Sequence, residues 1–245
     1  MNEATLIGLA GTAAFLGFVH TITGPDHYIP FIAMAKVGRW SFARTMVISL
    51  ACGVGHVLSS IVLGMIGIAA SIAVGRLEWF EGLRGDFAAW LLLAFGLVYM
   101  VWGIRRAIRN RPHVHLHAHA DGTLHQHAHT HHDEHVHAHV GEVEATSEDS
   151  TARRMTPWIL FTIFVFGPCE PLIPLLMYPA VKLSMASVVI VASVFAICTL
   201  GTMLTMVAGG YYGLLKLSSS ALERYSHVIA GGALAACGAL MVVGL

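Results

Sequence analysis

The segment GPDHYIPF, residues 24 to 31, sets a carboxylate and an imidazole, Asp26 and His27, directly after a Gly-Pro pair in an otherwise apolar run. His20 comes six residues before the carboxylate, and His56 lies near the middle of the next apolar stretch. A second Gly-Pro pair opens GPCEPLIPL, residues 167 to 175, where Cys169 and Glu170 follow. Together these side chains form a mixed oxygen, nitrogen and sulfur donor set. Such a set suits borderline divalent ions such as nickel, cobalt or zinc better than magnesium or calcium. Asp26 and Glu170 read as the only carboxylates inside apolar spans, where an ionisable group costs about 3 kcal/mol or more to insert and marks a functional position. The expected metal ligands are therefore drawn from Asp26, His27, His20, His56, Cys169 and Glu170. A single imidazole on an apolar helix would read as a packed, hydrogen-bonded residue. Three with an adjacent Asp read instead as ligation or proton coupling.

A second histidine population sits in HVHLHAHADGTLHQHAHTHHDEHVHAH: His113, His115, His117, His119, His125, His127, His129, His131, His132, His135, His137 and His139. Alternation puts successive imidazoles on one side wherever the chain is extended. With an ordinary pKa of about 6.5 they are largely neutral at cell pH and free to take metal. The segment reads as a largely disordered, solvated linker that also buffers or senses metal.

The elements that must position these groups are membrane helices. The chain has 245 residues, 56% hydrophobic and only 11% charged, which is a poor composition for a water-soluble domain. Apolar stretches run over residues 4–25, 45–75, 87–104, 155–181, 183–215 and 225–245, and about 20 helical residues suffice to cross a hydrocarbon core of roughly 30 Å. The fold expected is all-α, with six transmembrane helices. The N-terminal run lacks a basic leader and lasts too long for a signal core, so it reads as a retained first helix. Lys and Arg are concentrated in the first, third and fifth connections, which puts both termini outside a cytoplasmic membrane and the His-rich loop inside. Arg76 and Arg84 are assigned to the second connection.

The two halves resemble each other. ACGVGHVLSS at 51–60 is echoed by ICTLGTMLTM at 197–206, and AFGLVYMVWG at 94–103 by ACGALMVVGL at 236–245. Three helices per half is an odd number, so the second copy enters the bilayer from the opposite side, giving two inverted three-helix repeats. The expected division is 1–106 for the first repeat, 107–154 for the loop and 155–245 for the second repeat. Pro25 and Pro30, with Pro168, Pro171, Pro174 and Pro179, cluster at the two motifs. Proline removes a backbone donor and blocks the preceding turn, so helices 1 and 4 should be broken there. The exposed backbone groups must then face protein or a polar cavity. Cys52, Cys198 and Cys237 read as small packing residues, and His227 as an interfacial anchor beside Tyr225.

The His20, Asp26-His27 pattern, the Gly-rich second helix carrying His56 and the His-rich loop between two halves resemble the NicO-type nickel/cobalt transporters and the related urease-accessory membrane proteins. The spacing here is His-x5-Asp-His, one residue longer than in the permeases bearing that signature. The resemblance implies movement of nickel or cobalt across the cytoplasmic membrane, with Asp26, His27 and His20 as ligands, and the His-rich loop is similar to that of efflux members, which favours export. GPCEPLIP is more distantly similar to a motif of the transmembrane thiol-disulfide carriers of cytochrome c biogenesis, although Asp26 stands where a paired cysteine would.

A secondary metal transporter is therefore expected, with a thiol-disulfide carrier or a transporter of another small solute such as sulfite as alternatives. The transported ion and the lipid bilayer are the expected partners, and a homo-oligomer is left open. Nucleic acid is not expected, since net charge is zero and no basic stripe occurs. No phosphate-binding loop is present, so neither ATP hydrolysis nor other enzymatic activity is expected, and no prosthetic group.

Overall fold

A computed structural model describes residues 3–70, 72–109, 113–118, 124–129, 147–169, 171–182, 184–215 and 225–244. The membrane-type part of the chain is all helical. In chain order it contains α1 (Glu3–Thr23), a 3-10 turn (Pro25–His27), α2 (Ile29–Gly38), α3 (Phe42–Ala69), α4 (Val74–Arg109), α5 (Ser147–Phe166), α6 (Leu172–Lys182), α7 (Met185–Leu215) and α8 (Ser226–Val243). Five segments, Ala4–Thr23, Phe42–Ala69, Val74–Ile108, Met185–Gly213 and Ser226–Val243, are long and apolar enough to cross a membrane.

On α3 the side chains are sorted by size and polarity. Val47, Leu50, Val54, Leu58, Val62 and Ile66 are exposed, whereas Ser49, Cys52, Gly53, His56, Ser60, Gly64 and Gly67 are buried. Large apolar groups point out and small or polar ones point in. That pattern fits helices whose outer solvent is lipid and whose mutual contact depends on small residues. The same device joins α4 to α8. A Cβ on Gly96 would meet the backbone of Leu234 and Ala235, one on Gly231 the backbone of Met100, and one on Gly238 that of Leu93. The two helices therefore approach backbone to backbone.

Both Gly-Pro motifs interrupt helices. α1 stops at Thr23, Pro25 occupies the first turn of the 3-10 segment, and Pro30 the first turn of α2. Proline fits there because first-turn N–H groups have no intrahelical acceptor. In the second half α5 stops at Phe166, Gly167 to Cys169 are non-helical, and α6 starts at Leu172. Packing between the halves is reciprocal: α1 lies on α7 as α5 lies on α3, α2 contacts α7 and α8, and α6 contacts α3 and α4.

One expectation needs correction. The third apolar span was expected over 87–104, but α4 begins at Val74 and takes in Arg76, Glu78, Glu81, Arg84 and Asp86. Arg84 is thus helical and not part of a connection. Glu81 is a buried carboxylate that the sequence reading left out, with 1% of its surface exposed. Five charges in the first turns depress the apparent hydropathy, which places the expected helix start too far along. Within the His-rich linker, strands β1 (His113–Ala118) and β2 (Leu124–His129) form an antiparallel pair, with His113 opposite His129, His115 opposite His127 and His117 opposite His125.

Candidate metal centre

The break after α1 is what brings the histidines together. His20 lies in the last turn of α1, and the 3-10 turn folds the chain so that the His27 and His20 ring centroids are 4.7 Å apart and nearly perpendicular. α3 supplies His56, whose ring is 5.1 Å from that of His27 and parallel to that of His20 at 6.3 Å. One ligand nitrogen from each of the three rings falls within 4.8 Å of the other two. His27 and His56 are buried and His20 half-buried. Phe164 of α5 walls the cluster, 6.4 Å from His27 and 6.1 Å from His56, and stacks edge-on against Phe31 at 4.6 Å.

In His56 and His27 the hydrogen bonds fix which ring nitrogen is available. His56 Nδ1 lies 3.3 Å from the carbonyl oxygen of Phe164. His27 Nδ1 lies 3.1 Å from the carbonyl oxygen of Gly24 and 3.2 Å from Asp26 Oδ1. Carbonyl oxygens only accept, so in each ring Nδ1 donates. A neutral imidazole then carries its lone pair on Nε2. His20 Nε2, His27 Nε2 and His56 Nε2 are all buried with no hydrogen-bond partner among the described residues. Buried nitrogens left unpaired are costly unless a ligand satisfies them. A carbonyl or carboxylate behind the distal nitrogen is the usual support of a metal-bound histidine. An ion with nitrogens at roughly 2.1 Å holds any pair no more than about 4.2 Å apart. Around a tetrahedral ion the nitrogens stand about 3.4 Å apart, so the widest pair would close by up to about 1.4 Å.

Both motif glycines make room for this arrangement. A Cβ at Gly24 would lie 2.6 Å from His27 Nδ1 and 2.8 Å from Asp26 Oδ1, and one at Gly167 would lie 3.1 Å from His56 Nδ1. Gly24 has φ −89° and ψ 92°, which any residue can adopt. Space, not backbone freedom, is the constraint there.

Asp26 therefore stands beside the cluster, holding His27, and the grouping of ligand nitrogens contains the three histidines. Cys169 is fully buried in an apolar cluster with Ala13, Val57, Leu172 and Phe195 and is not brought among them. Glu170, and His119, His131, His132, His135, His137 and His139 of the loop, lie outside the described residues. The other six loop histidines belong to β1 and β2. All four cysteines are free thiols. His227 is tied to α4, with Nδ1 2.9 Å from the Tyr99 hydroxyl and its ring edge-on to Trp102 at 4.9 Å.

Sequence reasoning missed a second polar assembly beside the α5 break. Arg84 Nη1 donates to Glu81 Oε1 at 3.0 Å, and Nη2 donates to Ser59 Oγ at 2.7 Å and to the carbonyl oxygens of Val165 and Gly167 at 2.8 and 3.3 Å. The signal was available in the i,i+3 spacing of Glu81 and Arg84. Comparison with protein-family models, with curated proteins and with solved structures found no match, so the functional reading rests on this geometry.

Proposed function

We propose that the chain is a multi-pass secondary transporter that moves a divalent transition-metal ion, nickel or cobalt in preference to zinc, across the cytoplasmic membrane, and that it works in the export direction. The observation that carries this reading is the trio of buried, unpartnered Nε2 atoms of His20, His27 and His56, enclosed by helices of bilayer-spanning length. A soluble metal store would not need that scaffold, and bare hydrocarbon would not admit a dehydrated divalent ion. All-nitrogen donors favour late first-row ions over magnesium or calcium. In this reading the three imidazoles bind the ion and Asp26 orients His27.

The reading includes an inverted repeat of two three-helix halves, with α1, its 3-10 turn and α2 corresponding to α5, the Gly167–Cys169 break and α6. Reciprocal packing of the two broken helices against α3 and α7 supports it. A transporter so built exposes its ion site alternately by rocking one half against the other. The termini lie outside and the His-rich loop, which collects metal, lies in the cytoplasm.

The test is metal flux in liposomes holding the full chain, with nickel, cobalt and zinc supplied separately. Wild-type protein should move at least one of these ions, and His56→Ala should not. Movement of none of the three by a folded wild-type protein would overturn the proposal.

A further inference from the structure

Glu81 is a buried carboxylate that the metal centre does not use. One oxygen is held by Arg84, while Oε2 is buried with no hydrogen-bond partner among the described residues. An ionised carboxylate in a desolvated setting normally has its remaining lone pairs satisfied. Oε2 is therefore the atom on which Glu81 can take up a proton, and exchangeable carboxylates in membrane helices are the usual stations of proton relays.

The pair is also wired to the metal centre by two short routes. Arg84 binds Ser59 Oγ, and that hydroxyl donates to the carbonyl oxygen of His56 at 2.8 Å. Arg84 also holds the Val165 and Gly167 carbonyls, which flank the helix end whose Phe164 carbonyl receives His56 Nδ1. These are the carbonyls that a helix C-terminus leaves unpaired. The α5 end is therefore fixed jointly by Arg84 on one side and His56 on the other. Gly85 keeps α4 close to it, since a Cβ there would meet Pro168 at 2.7 Å. Among the described residues, the polar groups that contact Glu81 and its partner are Arg84 on α4 itself, Ser59 on α3, and the two carbonyls at the α5 break.

We propose that Glu81 carries the coupling proton of this transporter, and that Arg84 transmits its charge state to His56 through the α5 break. This rests on the metal-transport reading above. With Glu81 ionised, Arg84 is clamped at Nη1 and its other nitrogen is aimed at Ser59 and the α5 end. When Glu81 takes a proton from water and becomes a neutral acid, the attraction that aims the guanidinium is lost. The α5 end and the His56 Nδ1 contact then loosen together, and the ion is released. Loss of that proton to the other side restores the clamp. The two-state element is the non-helical segment Gly167–Cys169.

The experiment uses the full chain in liposomes, with nickel and cobalt as probes, a pH-sensitive dye inside, and flux measured with and without an imposed pH gradient. Separately, hydrogen exchange of the α5 end is followed against pH in detergent. Wild type should couple metal and proton movement. Glu81→Gln should lose the effect of the gradient and the proton signal yet retain gradient-free metal exchange, and Glu81→Asp should restore coupling. Protection of the α5 end should fall with falling pH in wild type and be pH-independent in Glu81→Gln. Gradient-driven flux that survives in Glu81→Gln overturns the proposal. So does metal flux in wild type without proton movement, or α5 protection that responds to pH equally in both proteins. A wild type that binds and moves no metal, but whose α5 protection still depends on Glu81, overturns the transport reading and leaves the latch standing.

Discussion

His56 on α3 and Phe164 on α5, 108 residues apart in sequence, are joined by an Nδ1 to carbonyl contact of 3.3 Å. That contact leaves His56 Nε2 free of hydrogen bonds and makes the candidate metal centre a joint product of both halves of the chain. His56→Ala should therefore lose more affinity for nickel or cobalt than the roughly 10- to 100-fold typical of an outer partner. Equilibrium dialysis of the purified protein checks this, and unchanged binding would remove His56 from the ligand set.

Asp26 sits 3.2 Å from His27 Nδ1, the ring nitrogen that also faces the Gly24 carbonyl. As an orienting group, its replacement by Asn should weaken metal binding by about 10- to 100-fold without abolishing it. Competition against a chelator of known strength measures the change. Should Asp26→Asn match His27→Ala in severity, Asp26 is itself a ligand.

Gly24→Ala adds a methyl group where His27 and Asp26 already stand. The turn must shift, at a cost of about 1–3 kcal/mol if other overpacked sites are a guide, and metal affinity should fall with stability. Gly231→Leu drives a side chain into the Met100 backbone in the α4–α8 seam. It should lower thermal stability by a similar or larger amount, while protein that remains folded binds metal normally. Parallel melting and binding curves separate the two effects.

Protons and metal compete for the same three Nε2 lone pairs, because an imidazole must be neutral to ligate. Affinity should fall as pH is lowered and recover as it is raised. Binding isotherms over a pH series check the sign. This dependence should persist in Glu81→Gln, which leaves the three imidazoles untouched.

Removing residues 113–139 should lower metal capacity but keep the site formed by His20, His27 and His56, and Cys169→Ser should keep it too. Binding stoichiometry of the two variants is the measurement. A thiol-disulfide carrier would show the opposite pattern, with loss of function in Cys169→Ser alone.

Composition, apolar run lengths and the two Gly-Pro motifs determined that the chain carries helices long and apolar enough to cross a membrane, and the places where α1 and α5 end, because both follow from local chemistry: transfer of apolar groups from water and the missing N–H of proline. The local cluster of His20, Asp26 and His27 was legible for the same reason, since all three lie at or beside one helix break. Which nitrogen of each ring faces inward, the role of Asp26 behind His27, the placing of Cys169 in an apolar cluster, and the pairing of Glu81 with Arg84 were decided only by tertiary structure. His56 meets Phe164, and Arg84 meets Ser59, Val165 and Gly167, across separations that no helical or strand periodicity reaches. A charged turn at the start of α4 looks like solvent-exposed loop to any local window, and only the packing of α3 and α5 against it shows that its carboxylate is buried.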